Sequence, residues 1–299
     1  MISTAALLVH QPTIGCSRSL RKYIKQHSRG TVTAVISLIE SFQSLKAMDK
    51  NIGAQNTGVV WSQCDDILTK LPKGNRAAMR REIFTWVGDC NETMQEFQEI
   101  VNLGPTTAEN DVNNDTSSWD DFCDGAGDQY TNKEIEITKA CLAIIKCSRG
   151  VLGLVMKACE CAGNDAEKIK DENCFKAILQ WISNTHELSR VVGENVTDLG
   201  MFLYPPLNLA LSEDEQDSLD EEGEWTKTEI GQQIVLQTNA IATAATYVHD
   251  HIVPEISSVS ITMSDEVMEL ASKLLAAVEV RKMEAKTAIT NAIEAIKNK

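Results

Sequence analysis

Two long stripes of apolar residues, spaced alternately by four and three positions, constrain the fold of this 299-residue chain more than any other feature. Such spacing keeps one side of an α-helix apolar along its length, so that the helix can pack along a partner helix. With six prolines and sixteen glycines in the whole chain, little interrupts helix formation. These features predict an all-α fold made of helical bundles. The stripes are Met79, Ile83, Val87, Cys90, Met94, Phe97 and Val101, and then Ile135 or Thr138, Cys141, Ile145, Ser148, Leu152, Val155 and Cys159.

Shorter stripes predict further helices on both sides of these two. One of them, Val32, Val35, Ile36, Ile39 and Phe42, is typical of an amphipathic helix. Asn75, Asn132 and the pair Ser264-Asp265 are suited to cap the helices that follow them, because their side-chain oxygens can accept hydrogen bonds from free backbone N–H groups. The additional helices are predicted within residues 31–49, 60–71, 173–192, 194–203, 230–252 and 265–296.

Two acidic stretches account for the whole net charge of −15. Residues 106–128 carry seven acids and residues 213–224 carry eight, and neither stretch has a lysine or arginine. Runs of like charge with few apolar residues bury too little surface to offset their ordering entropy, which is typical of solvated linkers. The predicted organisation is an N-terminal helical bundle over 1–105, an acidic disordered linker over 106–130, and a C-terminal bundle over 131–299 that an acidic loop at 212–226 interrupts.

The inventory of reactive residues favours a protein without catalysis, cofactor or metal. The nine cysteines fall mainly on apolar helical positions, so we interpret them as small buried residues of a reducing compartment. His249 and His251 are two positions apart, and on a helix their rings point to different faces. Gly125 and Gly127 lie among acids that would repel a phosphate. The apolar run near residue 1 is too short to span a membrane.

Positive charge is modest and is interpreted as solvated helix surface. A DNA-contacting helix needs more cations than these, and the acidic balance disfavours nucleic acid as a direct partner. Trp119 and Trp225 lie in or beside the acidic stretches, where they are either anchors for a partner or side chains that fold back on their own bundle. The cationic residues are Arg18, Arg21, Lys22, Lys25 and Arg29, and then Arg76, Arg80 and Arg81.

Three short segments, in this order, resemble the cyclin-D-binding protein family, which is also described as a helix-loop-helix-like partner of an immune adaptor. They are LPKGNRAA at residues 71–78, CLAII at 141–145, and VTDL at 196–199 followed by LYPPL at 203–207. The resemblance extends over roughly residues 1–210 and more weakly over the remainder. It implies two bundles akin to the helical modules of talin and vinculin, with a further helical segment ahead of residue 1.

The same resemblance implies a non-enzymatic regulator in the nucleus and cytoplasm. Such a regulator binds D-type cyclins, restrains phosphorylation of the retinoblastoma protein by cyclin-dependent kinases, and acts negatively on helix-loop-helix transcription factors. An adaptor with SH3 domains is a further expected partner. The protein-binding residues predicted on this basis are Leu71, Pro72, Asn75, Arg76, Tyr204, Pro205 and Pro206.

An alternative function is a cytoskeletal adaptor of the talin or α-catenin type, which binds actin or an amphipathic helix. The helices rich in alanine and threonine at 238–247 and 285–295 favour it. In both functions the protein offers a helix surface to a partner and makes or breaks no covalent bond.

Overall fold

The computed structural model describes residues 16–43, 50–105, 130–163, 172–209, 223–250 and 265–298. These residues form seven α-helices and one short 3₁₀ helix, and none of them is in a β-strand. The predicted all-α class is therefore confirmed. The helices are α1 (Arg18–Gln43), α2 (Lys50–Lys70), α3 (Asn75–Leu103), α4 (Asn132–Gly163), α5 (Glu172–Met201), the 3₁₀ helix (Glu224–Lys227), α6 (Glu229–Asp250) and α7 (Asp265–Lys297).

The chain divides into two compact units that each combine segments distant in sequence. Unit 1 comprises Met1–Glu82, Cys159–His186 and Val253–Ile261. Unit 2 comprises Ile83–Ala158, Glu187–Ile252 and Thr262–Lys299. The predicted bundles at 1–105 and 131–299, and the likeness to talin and vinculin, stay predictions. The acidic residues 106–128 lie outside the described part of the chain.

In unit 1, α1 and α2 form an antiparallel pair. The Asn56 side-chain amide donates to the Ser37 carbonyl at 3.5 Å, and the Phe42 ring lies 3.8 Å from the position that a Cβ on Gly53 would occupy. At the other end of the pair, Gly30 lies beside the Gln63 side chain. The two helices thus run in opposite directions along their whole length. Both begin well before the predicted stripes at residues 31–49 and 60–71, and the cations of residues 18–29 belong to the first half of α1.

The core of unit 2 is apolar and lies among the later part of α3, most of α4, the later part of α5, α6 and α7. The predicted stripe of α4 is buried throughout its length, and the α3 stripe is buried at Ile83, Cys90 and Phe97. Both stripes therefore face the interior, as their spacing predicts. The largest fully buried side chains of this unit are Phe97, Ile83, Ile137, Ile144, Ile145, Leu152, Leu154, Leu199, Leu203 and Ile230.

Helix α5 is one continuous helix, although the sequence predicts two helices with a break near Gly193. A Cβ on Gly193 would lie 2.5 Å from Cγ of Trp86, so the glycine allows the indole to pack directly against the α5 backbone. Thr93 and Phe97 lie close to Gly200 in the same way, about two turns further along α5. This order of contacts means that α3 and α5 run parallel in unit 2. The predicted break was wrong because Gly193 serves a close approach rather than a helix end.

The start of α4 shows a second difference from prediction. The Glu134 N–H donates to Oγ1 of Thr131 at 3.3 Å, and the Thr131 N–H donates to Oε2 of Glu134 at 2.7 Å. This reciprocal pair is a capping box of the Thr-x-x-Glu type, in which two free backbone N–H groups gain acceptors. The helix therefore begins at Asn132 as predicted, but Thr131 and not Asn132 is the capping residue.

Trp225 folds back on its own unit. It is buried in the 3₁₀ helix, and a Cβ on Gly231 would lie 1.9 Å from its carbonyl oxygen. Only a glycine at position 231 allows that approach. A short 3₁₀ helix thus lies at the end of the predicted acidic loop 212–226, and Trp225 is a core residue rather than an anchor for a partner. Trp119 lies outside the described residues.

Candidate protein-binding surfaces

Helix α1 exposes its large apolar side chains and buries small ones. Ile36 is 49% exposed, Ile39 50% and Phe42 69%, whereas Thr31 and Ala34 are buried. An amphipathic helix ordinarily turns its apolar stripe toward the core. The predicted stripe of residues 32–42 therefore lies on the outside of α1, and the side chains that α1 buries in this part are the small Thr31 and Ala34. A contiguous exposed apolar patch of this kind marks an interaction site.

The same side of α1 continues into a row of cations. Residues spaced by four and three positions form one face of the helix. On this face, exposed positively charged side chains are followed by exposed apolar side chains. We call this surface the α1 face. At 1.5 Å per residue it is about 32 Å long. Its members are Arg18, Lys22, Lys25, Arg29, Val32, Ile36 and Ile39, with Val35 and Phe42 at its apolar edge.

One cation of the α1 face connects to a buried ion cluster in unit 1. Nζ of Lys22 lies 2.6 Å from Oε1 of Glu82, and Nε2 of His186 hydrogen-bonds Oε2 of the same carboxylate. Glu82 and His186 are buried, while the Lys22 side chain is largely exposed. Burial raises the pKa of Glu82, but the hydrogen bonds and charges of His186 and Lys22 outweigh it and lower the pKa to about 2. The carboxylate is therefore ionised in the folded protein at neutral pH.

The predicted residues of the turn before α3 lie together in unit 1. Leu71, Pro72 and Asn75 are half-buried, and Arg76 is exposed. The Ser17 N–H donates to Oδ1 of Asn75 at 2.6 Å, which ties the start of α1 to the start of α3. Gly74 has a φ of 104°, a conformation that glycine adopts without strain. The turn thus places Arg76 on the surface and gives Asn75 a structural contact.

The predicted Tyr204–Pro206 segment lies in unit 2 and is held by both of its flanks. The Tyr130 hydroxyl donates to the Leu203 carbonyl at 2.7 Å, and the Leu207 N–H donates to Oε1 of Glu134 at 2.8 Å. Glu134 thereby joins the cap of α4 to this segment. Burial, reinforced by neighbouring ionisable groups, raises the pKa of Tyr130 to about 12, so its hydroxyl keeps its proton at neutral pH.

Tyr204 itself packs against α3 in unit 2. Its ring meets the Phe97 ring edge-on with centroids 5.3 Å apart, and its hydroxyl hydrogen-bonds Glu96. That hydrogen bond is the main reason why the pKa of Tyr204 is raised. Tyr204 and Pro206 are exposed and Pro205 is half-buried. The segment therefore presents an aromatic edge and a proline to solvent on a fixed backbone.

The described cysteines behave largely as the sequence predicts. Cys90, Cys141, Cys147 and Cys159 are buried, and burial raises the pKa of Cys141 to about 12. A thiol with so high a pKa stays protonated and unreactive at neutral pH. Cys16 and Cys64 are half-buried, and Cys123, Cys161 and Cys174 lie outside what the structure describes at side-chain level.

The other polar groups of the described residues do not converge on a common site. In the described ranges no group of three His, Cys, Asp or Glu residues is placed to hold a metal ion, and no helix there is both long and apolar enough to cross a bilayer. Nδ1 of His249 lies 2.7 Å from Oδ1 of the adjacent Asp250 on the surface, and His251 is outside the described residues.

Three features of these surfaces were missed by sequence reasoning. The Thr131-x-x-Glu134 box carries a recognisable local signal, and the 4-and-3 row from Arg18 to Ile39 could have been found by extending the apolar stripe backwards. The Glu82–His186 contact joins residues 104 positions apart, and no local pattern indicates it.

Comparison with known proteins gives a match to one family. Residues 1–103 match the family model described as Grap2 and cyclin-D-interacting, N-terminal. A search of curated proteins found no significant match. The matched residues contain α1, α2 and α3, and therefore the α1 face and the Leu71–Arg76 turn. The resemblance to the cyclin-D-binding protein family is thus confirmed over residues 1–103.

Proposed function

We propose that this protein is a non-enzymatic regulator that binds a D-type cyclin and thereby restrains signalling by cyclin-dependent kinases. The observation that supports it most is the family match over residues 1–103, whose description names a cyclin-D-interacting region. The mechanism is steric, because a bound regulator lowers the productive encounter of the cyclin with its kinase or substrate.

The surfaces of the protein suit such a role. Exposed apolar residues on α1 and an exposed Arg76 beside the turn lie in the matched region, and apolar and arginine side chains dominate the energetics of most protein interfaces. The described polar clusters are ion pairs and helix caps, among them the buried Glu82–His186 pair. The exposed apolar and arginine side chains support a role in binding.

The finer parts of the proposal rest on the resemblance alone. They are negative action on helix-loop-helix transcription factors, contact with an SH3-containing adaptor, and residence in both nucleus and cytoplasm. Tyr204 and Pro206 of unit 2 are exposed on a backbone that Tyr130 and Glu134 hold in place, which supports contact with an adaptor there.

Isothermal titration of a purified D-type cyclin into the full-length chain tests the function. We expect saturable binding with a Kd of about 10 µM or tighter. If the titration at that concentration gives no heat of binding and the chain retains no cyclin, the proposal is overturned. Co-sedimentation with filamentous actin, in the absence of cyclin binding, would instead favour the cytoskeletal adaptor.

Point variants then test the predicted turn. Scrambling residues 71–78 is unsuitable, because Ala78 is fully buried and Asn75 holds Ser17. Lys73 and Arg76 are exposed, so Lys73→Glu with Arg76→Glu changes the surface while keeping the fold. We expect about tenfold weaker cyclin binding. Lys139→Glu with Lys146→Glu, on the exposed side of α4, makes the same charge change and serves as the matched control.

A further inference from the structure

The antiparallel pair of helices α1 and α2 is buried unevenly along its length. Where the pair begins, Ser17 and Ser19 are buried. Beyond Ala34 every residue of α1 is exposed or half-exposed, and no described side chain of α2 is buried. Segments with few buried side chains open more readily than the core of the same protein. Burial therefore holds the end of the pair near Ser17 better than the opposite end.

Described contacts tie this same end of the pair to α3. The Ser17 N–H donates to Oδ1 of Asn75 at 2.6 Å. At the last residue of α2, the Lys70 carbonyl accepts a hydrogen bond from Nη1 of Arg81 at 2.6 Å. The Arg81 guanidinium also lies 5.2 Å from the centre of the Tyr23 ring, in a cation–π contact. These contacts join the start of α1 and the end of α2 to the first turns of α3.

An ion pair at this end reaches the buried cluster of unit 1. Nζ of Lys22 lies 2.6 Å from Oε1 of Glu82, whose other oxygen hydrogen-bonds His186. The Lys22 side chain is 68% exposed, whereas Glu82 and His186 are buried. Burial, and next the charge of Glu82, raise the pKa of Tyr23, so the phenol also faces this carboxylate. The first two turns of α1 thus lie against the Glu82–His186 pair.

Helices α1 and α2 contact each other at the opposite end as well. The Asn56 amide donates to the Ser37 carbonyl, and the Phe42 ring lies beside Gly53. The turn of residues 71–74 joins α2 to α3, and it contains Gly74 at a φ of 104°. Two helices that contact each other along their length and are attached at one end can move as one body about that end.

We propose that the α1–α2 pair is a lid that opens as one body about residues 71–74, and that the Lys22–Glu82 ion pair is the latch that keeps it closed. Opening withdraws Lys22 and Tyr23 from Glu82 and admits water to the Glu82–His186 pair. The exposed Lys22 side chain suits a latch, because its ammonium passes into water at little cost when the pair separates. This device does not depend on which partner the protein binds, so it goes beyond the proposed function.

Hydrogen–deuterium exchange of the full-length chain at pH 7, followed peptide by peptide, tests the lid. After correction for intrinsic rates, we expect the amides of α1 and α2 to exchange at least about a hundredfold faster than those of residues 144–155 in α4. Lys22→Gln removes the charge of the latch at an exposed position and should speed exchange about tenfold throughout both helices. Exchange of residues 144–155 should not change.

Two further variants are controls. Lys25→Gln makes the same change of charge at an exposed lysine one turn further along α1, and it should alter exchange less than about twofold. Lys22→Arg keeps a cation opposite Glu82, so exchange in both helices should stay within about twofold of the wild type.

Chemical modification of His186 gives a second readout, because its imidazole is buried while the lid is closed. Diethyl pyrocarbonate is added to the full-length chain, and the modified histidines are located by mass spectrometry. The half-buried His27 of α1 serves as the internal reference for the reagent. We expect Lys22→Gln to raise the rate at His186 about tenfold relative to His27, and Lys25→Gln to leave it unchanged.

The other outcomes would overturn the proposal. If α1 and α2 exchange as slowly as residues 144–155, the pair does not open as a lid. Faster exchange in Lys22→Gln that is confined to the first turns of α1 would mean fraying of one helix. Equal effects of Lys22→Gln and Lys25→Gln, or an unchanged rate at His186, would show that Lys22 is not the latch. Acceleration of residues 144–155 to the same extent would mean that the ion pair stabilises the whole fold.

Discussion

Units 1 and 2 use opposite arrangements of polar and apolar groups. Unit 1 buries the Glu82 carboxylate against His186 and exposes the apolar row of α1, whereas unit 2 buries the stripe of α4 and has a neutral polar contact in its interior. In that contact the Gln237 amide donates to Oγ of Ser148 at 2.6 Å and to the Val192 carbonyl at 3.1 Å. The comparison shows that a periodic apolar stripe predicts a helix but not where its stripe will face.

Removal of the buried carboxylate in unit 1 should give the largest loss of stability. Glu82→Ala takes away the acceptor for His186 and Lys22 and leaves polar groups without their partner in the interior, so we expect unfolding to become easier by about 4 kcal/mol. Urea unfolding followed by circular dichroism measures it. The control is Glu160→Ala, which removes an exposed ion pair with Arg80 and should cost less than about 1 kcal/mol. Equal losses of stability for the two changes would show that the buried cluster stabilises the protein no more than an exposed ion pair does.

Shortening one apolar side chain should lower the stability of the protein much more in unit 2 than in unit 1. Leu152→Ala creates a cavity in unit 2, where the side chain is fully buried, and should cost about 3 kcal/mol. Ile36→Ala on the α1 face should change stability by less than about 0.5 kcal/mol. The same urea titration compares them. A loss of more than about 2 kcal/mol at Ile36 would mean that the α1 face is a core surface.

Acid should weaken unit 1 through Glu82. Because the folded pKa of about 2 lies below the ordinary value of 4.5, the stabilisation from the ionised carboxylate is complete above pH 4.5 and is lost as the pH falls through about 2. One such group contributes at most about 1.4 kcal/mol per pH unit across that window, so we expect a total near 2–3 kcal/mol. Thermal unfolding of wild type and Glu82→Gln between pH 5 and pH 2 measures it, and the variant should lose less. If the stability of the two proteins falls equally between pH 5 and pH 2, Glu82 is not the group responsible for the loss in acid.

The neutral contact of unit 2 should give the smallest effect. Gln237→Leu removes two hydrogen bonds, but Ser148 keeps its bond to the Ile144 carbonyl at 3.1 Å. We therefore expect a loss of about 1 kcal/mol, without pH dependence between pH 5 and pH 2. Gln180→Leu, at an exposed position of α5 where the amide bonds Asn184, is the control. A loss above about 3 kcal/mol would place Gln237 among the residues on which the fold depends.

Local patterns predicted the helices better than the surfaces. The α4 row from Ile135 to Cys159 was predicted as the apolar stripe of a long helix and is buried along its length. The break at Gly193 was wrong, because the sequence shows a glycine but not the Trp86 ring that requires it. The outward direction of the α1 row could not be predicted, because the small residues Thr31 and Ala34, which are buried instead, look like ordinary helix positions in the sequence.

The predicted binding residues show the same division. Asn75 was expected at the start of a helix and is found there, yet its contact with Ser17 joins residues that sequence reasoning had no means to pair. The Tyr204–Pro206 segment was singled out by resemblance, and its attachment through Tyr130 and Glu134 became visible only in the fold. Contacts between residues far apart in sequence could not be predicted from a single sequence.

The Glu134 carboxylate also brings together the attachment points of the two acidic stretches. The first stretch ends just before Tyr130, and the second begins just after Leu209, two residues beyond the Leu207 amide that Glu134 binds. Fifteen negative charges are therefore tethered to one end of unit 2.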